Sequence, residues 1–238
     1  MKCKSVYFAF PFPTTIAAQE SEASVNALIH RDYTKLGAVH IRWEDYGITI
    51  SNPGGFVEGV SLDNLLVVEP RPRNPFLADA IKRIGLAERT GRGVDLIYQG
   101  LLRYGRSAPD YRSTNSHSVA VRLPGGEADL GLLRVVIEEE NRSHCPLSVD
   151  SLIALGQLRQ ERRLDTATLA RAIQRDEAIA RSVLERLYVR THGRITRKEA
   201  VELCRISEDQ ASRLLRKLTG ANQLKLEGQG RASYYVVS

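Results

Sequence analysis

The run Pro124-Gly125-Gly126 divides this 238-residue chain into two stretches with different hydrophobic periods. Before it, helical spacing and strand alternation are interleaved. After it, strand patterns nearly vanish until the last dozen residues and helix formers dominate. The pattern predicts an α+β fold: a mixed domain over residues 1–125, a helical domain over 126–193 and a compact tail over 194–238. At 42% hydrophobic and 26% charged residues the chain is globular, and it is long enough to bury a core without staples. Cys3, Cys145 and Cys204 are odd in number, far apart and without metal-ligand spacing, which argues against a disulfide framework or a zinc site. The opening MKCKSVYFAFPFP has no apolar signal core with a small-residue cleavage site, and no apolar run is long enough to cross a bilayer. We therefore expect a cytoplasmic protein.

The mixed stretch reads element by element. A helix is expected around Ala17 to His30, followed by AVHIRW and GITIS, which alternate around Glu44-Asp45-Tyr46-Gly47 as a half-buried hairpin. Asn74-Pro75 opens an amphipathic helix with Leu77, Ile81 and Ile84 on one face and Gly85 at its end. Gly91-Arg92-Gly93 leads into another, with Val94, Ile97, Leu101 and Leu102 inside and Gly105 ending it, and HSVAVRL closes the domain as a strand. Beyond the boundary, helices are expected near 130–142, 148–162, 166–173 and 176–188. The last pair resembles a degenerate copy of the tail, with Tyr188 to Gly193 as a short wing, suited to packing or dimerisation as readily as to DNA.

In the tail, Thr196 to Glu199 and Ser207 to Gln210 are two capping boxes, each ahead of its own helix. The segment QLKLEGQGRASYYVV then reads as two strands around a glycine-bearing turn, so the tail predicts a winged helix. Its second helix turns Ala211, Leu214, Leu215 and Leu218 inward, leaving Gln210, Ser212, Arg213, Arg216 and Lys217 to reach base edges and phosphates, with Lys225 and Arg231 on the wing. The whole chain carries a net +6. From Arg194 onward nine Lys and Arg face five Asp and Glu, so the tail holds most of that excess. The same surface also suits a purely protein-binding module, and Glu208 and Asp209 at the helix start favour that use.

On the first helix Glu22, Asn26 and His30 share one stripe at i, i+4 and i+8. A glutamate can activate water, an asparagine can offer oxygen to a hard cation, and a histidine can donate to phosphate. An exposed solvated stripe is the plain alternative. Gly54 and Gly55 follow a strand and permit a close backbone approach, although a tight turn would use them equally. Gly91 and Gly93 open a helix whose free amides suit a phosphate.

The strings EASVNALIHRDY, ITISNPGG, RPRNPFLADAIKRIGL and ERTGRGVDLI, in this order, resemble the RecG-like C-terminal transcriptional regulator family. Its domain is similar to the GHKL, or Bergerat, ATP-binding sandwich of gyrase, Hsp90, histidine kinases and MutL, followed by winged-helix DNA-binding segments. The resemblance implies ATP and Mg²⁺ as ligands. It assigns Glu22 as the water-activating residue, Asn26 as the magnesium ligand, and His30, Asn52, Gly54, Gly55, Gly91 and Gly93 as further nucleotide-binding positions. Asn52 stands where the family pattern begins its first glycine box with an aspartate, and a neutral amide accepts from adenine more weakly than a carboxylate. Nor is there a glycine-rich lid between the boxes. Family members also carry an AlbA-like, Schlafen-type N-terminal domain, whereas this chain starts some twenty residues before Glu22, so that domain's activity is not expected here.

The expectation is thus a homodimeric regulator that binds double-stranded DNA, with a sensor or dimerisation domain of ATP-binding type and weak hydrolysis at most. An active Mg²⁺-dependent ATPase whose tail recruits a protein is the alternative. The chain has no GxxxxGK[ST] loop, so a helicase motor is not supported.

Overall fold

A computed structural model describes residues 17–86, 92–192, 194–204, 206–221, 223–228 and 233–237. The architecture is mixed α+β. The chain forms two compact units, one from Met1–Glu58 with Pro70–Glu127, the other from Gly59–Glu69 with Ala128–Ser238.

In the first unit α1 (Ala17–His30) precedes a hairpin of β1 (His40–Glu44) and β2 (Gly47–Pro53), then α2 (Pro75–Arg83), α3 (Gly93–Arg103) and β3 (Ser118–Pro124). The sheet order is β1-β2-β3, antiparallel throughout, with Ile48 opposite Leu123 and Ile50 opposite Val121. Because β-strand side chains alternate, these four share one face, and Ala23, Ala27, Ile97 and Leu101 of α1 and α3 cover it. A second face of α1 packs Val25 and Ile29 against Ala78 and Ile81 of α2. At 100° per residue, Glu22, Asn26 and His30 fall between these two apolar faces, which is why the stripe is half-buried rather than solvated.

Pro75 occupies the first turn of α2 as expected, but Asn74 does not cap that helix with its side chain. Its Nδ2 instead donates to the carbonyls of Ile29 and Arg31 at 2.8 Å each, closing the end of α1.

The second unit strings together α4 (Leu130–Ser143), α5 (Val149–Glu161), α6 (Thr166–Ala172), α7 (Glu177–His192), α8 (Arg197–Cys204), α9 (Glu208–Gly220), β4 (Leu224–Glu227) and β5 (Tyr234–Val237). Short polar side chains set the helix starts: Asp129, Ser148, Asp165 and Ser207 each accept an amide of the first turn. Both capping boxes form, with the Thr196 N–H donating to Glu199 Oε2 at 2.7 Å and the Ser207 N–H to Gln210 Oε1 at 3.0 Å. The hairpin β4–β5 gains a third partner where Ile195 and Tyr235 exchange both backbone bonds at 2.8 Å.

Three features differ from the sequence expectation. No wing forms over Tyr188 to His192, because α7 continues through it: the Tyr188 and His192 rings stack 4.0 Å apart on adjacent turns. Nor does the packing divide at residue 193. Val189 of α7 is buried in one cluster with Ile195, Ala200, Cys204, Ile206, Ala211, Leu215, Leu218 and Leu224. The segment 59–69, expected within the first domain, belongs to the second unit.

Candidate functional site

In the first unit the N-terminus of α3 meets the polar stripe of α1. A Cβ built on Gly93 would sit 2.7 Å from Asn26 Nδ2 and closer still to Glu22 Oε1. A carboxylate and a carboxamide, both half-buried, therefore converge on the first turn of a helix, where amides lack intrahelical acceptors and the dipole is positive. Arg92, at the N-cap position, closes no side-chain bond there. Only glycine at 93 leaves room for this approach. Gly91, its expected companion, lies outside the described residues.

The first glycine box has a different environment. Gly54 adopts φ +97° and its N–H donates to the His117 carbonyl at 2.7 Å. A Cβ there would lie 2.6 Å from Asp32 Cβ, and one on Gly55 would lie 2.8 Å from the Asn115 carbonyl. Close packing of the chain on itself already requires both glycines. Asn52 lies on the same face of β2 as Ile48 and Ile50, buried to 3% exposure, and its Nδ2 donates to the Pro53 carbonyl at 3.2 Å.

His30 ends the stripe. Burial, and then the guanidinium of Arg73, lower its imidazole pKa and so favour the neutral ring, which can offer a phosphate one N–H but no ion pair. Arg73 itself is a residue the sequence reading left without a role. Its Nε donates to the His30 carbonyl at 3.1 Å, its Nη2 to the Gly55 carbonyl at 2.7 Å, and its Nη1 lies 3.8 Å from Asp32 Oδ2. One guanidinium thus joins the end of α1 to the glycine loop. Asp32 is held as a carboxylate by Thr34, whose hydroxyl and amide both donate to it, with Arg73 and Lys35 adding charge. Both Arg73 and Asp32 fall inside strings noted above, HRDY and RPRNP, so their position was legible although their partnership was not.

In the second unit α9 presents Arg213, Arg216 and Lys217 to solvent, with Ser212 half-buried beside them and Ala211, Leu215 and Leu218 in the core. Gln210 is exposed, but its amide oxygen is taken by the Ser207 N–H, so it serves the cap first. Lys225 on β4 lies 3.5 Å from Glu227. Arg231 lies outside the described residues. Arg194 stands over the Tyr234 ring at 5.5 Å, a cation–π contact beside the hairpin that the sequence did not reveal.

Residues 37–123 match the family described as "Putative ATP-dependent DNA helicase recG C-terminal". The first unit therefore contains an ATPase-like domain of that kind. The matched segment includes Asn52, Gly54, Gly55 and Gly93 and begins after α1, so Glu22, Asn26 and His30 are brought to it by the fold. Among solved structures, the DIP2311 protein from Corynebacterium diphtheriae is similar over 95% of this chain, at 22% identity and a TM-score of 0.62. At that identity the likeness concerns the fold. The chain spans 51% of that protein's length. No curated protein matches. Among the described residues no helix is long and apolar enough to cross a membrane.

Proposed function

We propose that this chain is a nucleotide-responsive transcriptional regulator: the first unit binds ATP with Mg²⁺ and the tail of the second unit, as a winged helix, binds duplex DNA. The observation that carries the nucleotide half is the convergence of Glu22 and Asn26 on Gly93. These groups fit the ligand. The α3 first turn suits a phosphate, Asn26 Oδ1 is an oxygen donor of the kind Mg²⁺ takes, and Glu22 Oε1 can accept a proton from water. When bound, Mg²⁺ would supply charge neutralisation between phosphate oxygens. No cluster of three or more His, Cys, Asp or Glu side chains among the described residues could hold a metal alone, so the ion's other ligands would come from phosphate and water.

Asn52 would face adenine with an amide in place of a carboxylate, which supports modest affinity and slow turnover. The ATPase with a protein-recruiting tail remains the second reading, favoured by the position of Glu22 and by the exposed Glu208 and Asp209 on α9.

For DNA, Arg213, Arg216 and Lys217 project from α9 as a recognition helix would, Ser212 and Gln210 lie beside them, and Lys225 and Arg231 are assigned to the wing. A homodimer on a two-fold site suits this arrangement. Calorimetric titration of ATP with Mg²⁺ into the full chain tests the nucleotide half. Micromolar binding lost in Asn26→Ala is expected, whereas equal binding by both proteins would remove Asn26 from the site.

A further inference from the structure

Within the second unit α4, α5, α6, α8 and β5 all pack on α7. On successive turns α7 carries Glu177, Arg181 and Glu185, at i, i+4 and i+8 along one stripe. The stripe runs from solvent into the core: Glu177 is exposed, Arg181 half-buried and Glu185 fully buried. Arg181 Nη2 lies 3.3 Å from Glu177 Oε2, so the guanidinium turns outward to the exposed carboxylate. Inward its bonding is incomplete. Arg181 Nε and Glu185 Oε2 are both buried without a hydrogen-bond partner among the described residues. A donor and an acceptor one helical turn apart, a spacing at which side chains meet, are thus left over on the same stripe.

The other oxygen of Glu185 ties α7 to α8. Cys204, the last residue of α8 and itself buried, donates its thiol to Glu185 Oε1 at 3.5 Å. Burial, and then Glu185, push that thiol up to about 12, so it keeps its proton across the neutral range. Two residues on, the buried Ile206 donates its N–H to the Val201 carbonyl at 3.3 Å, and Ser207 caps α9. Glu185 therefore lies against the end of α8, at the turn from which α9 departs. Cys204 of α8 and Arg181 of α7 are the groups that act on its charge; α4, α5, α6 and β5 add no further titratable side chain to it among the described residues.

We propose that Glu177, Arg181 and Glu185 form a proton-operated switch beneath the α8–α9 turn. With Glu185 protonated, Arg181 stays with Glu177 and α8 is seated on α7 through Cys204. When Glu185 releases its proton to solvent, Arg181 turns from Glu177 to the buried carboxylate, because an ionised group in the core needs a counter-charge more than a solvated one does. Burial holds the Glu185 carboxyl up at about 7, which places the exchange in the neutral range. A guanidinium brought into a close-packed core has to move its neighbours. The neighbour here is the end of α8, so α9 shifts with it. This regulation rests on the DNA reading above only for what α9 binds.

NMR titration of the full chain from pH 5 to 9 tests the switch, with Glu177→Gln and Glu185→Gln as variants. In the parent, the Glu185 carboxyl, the Arg181 Nε–H and the Cys204 and Ile206 amides are expected to move together with one midpoint near 7, and in Glu185→Gln both amides should stay constant. Glu177→Gln is an exposed change that frees Arg181 without touching the core. It is expected to lower the midpoint by about one pH unit, as an opposite charge made available to a carboxyl does. A midpoint unmoved in Glu177→Gln, or Cys204 and Ile206 amides that do not titrate in the parent, would overturn the switch. In the second arm, duplex DNA affinity at fixed salt is expected to fall about fivefold from pH 6 to 8 in the parent and not in Glu185→Gln. An equal fall in both proteins would overturn the control of α9 by Glu185. A parent chain that retains no duplex would instead remove the DNA reading, and the titration would still decide the switch.

Discussion

A Cβ placed on Gly93 would lie 2.7 Å from Asn26 Nδ2, so the Asn26 and Glu22 side chains keep their present positions only with glycine at the start of α3. The atoms in the way, Asn26 Nδ2 and Glu22 Oε1, are the ends of flexible side chains. Gly93→Ala is therefore expected to push both aside at little cost to the fold, since alanine also gains up to about 1 kcal/mol in helix propensity. Thermal melts should shift by only a few degrees while Mg²⁺–ATP affinity falls at least about tenfold, the cost of one or two misplaced hydrogen-bonding groups. Parallel loss of both stability and binding would make Gly93 a packing residue.

Arg73 behaves differently because its partners are backbone carbonyls. In Arg73→Met, the carbonyls of His30 and Gly55 lose their donor, at about 2–4 kcal/mol for two charge-assisted bonds. Urea unfolding should show this, and Arg73→Lys should recover part of it, since one ammonium cannot reproduce the guanidinium fork. An unchanged midpoint in Arg73→Met would show that the clamp contributes nothing to the first unit.

Glu185 of α7 is fully buried, its Oε1 accepting from the Cys204 thiol at 3.5 Å and its Oε2 without a partner among the described residues. Burial pushes its carboxyl up to about 7, while Cys204 and Arg181 pull less strongly downward. Between the ordinary glutamate value and about 7 the folded chain holds a proton that the unfolded chain has released. Stability is therefore expected to fall as pH rises from about 4.5 to about 7, by at most about 3 kcal/mol, and then to level off. In Glu185→Gln that slope should disappear from urea midpoints taken between pH 5 and 8; a variant that keeps the slope would assign it to another group.

On α9, Arg213, Arg216 and Lys217 are exposed and near one another on the helix surface. Changing all three to Glu should leave melting within a few degrees, because none is in the core, and abolish retention of duplex DNA. Single changes to Ala are expected to lower the salt dependence of binding by about one phosphate each. DNA retention by the triple variant would remove α9 as the recognition helix and leave the tail to a protein partner.

Much of the architecture was legible because local signals agreed. The Ala17–His30 helix, the hairpin turning at Asp45-Tyr46 and both capping boxes form where pattern and caps pointed to them together. What could not be read was long-range. The polar stripe of α1 looked equally like a solvated face, and only the packing of α2 on one side and the sheet on the other makes it half-buried. Arg73 carried no periodic signal, since its partners are carbonyls far away in sequence. Gln174 carried no signal of its own, because its bonds to Leu62 and Leu66 span more than a hundred positions. The expected wing at Tyr188 failed because α7 could continue: its next turn gained a ring stack with His192 and a buried Val189.

The central claim is that nucleotide in the first unit and DNA on the tail belong to one regulator. Its most direct test is the affinity of the full chain for a fluorescent DNA duplex, measured by anisotropy at fixed salt with and without Mg²⁺–ATP. The account predicts duplex binding whose affinity changes at least about fivefold with Mg²⁺–ATP, the lower end of ordinary coupling between sites, and a change that vanishes in Asn26→Ala. Duplex affinity identical with and without nucleotide, in a chain shown to bind both, would contradict it.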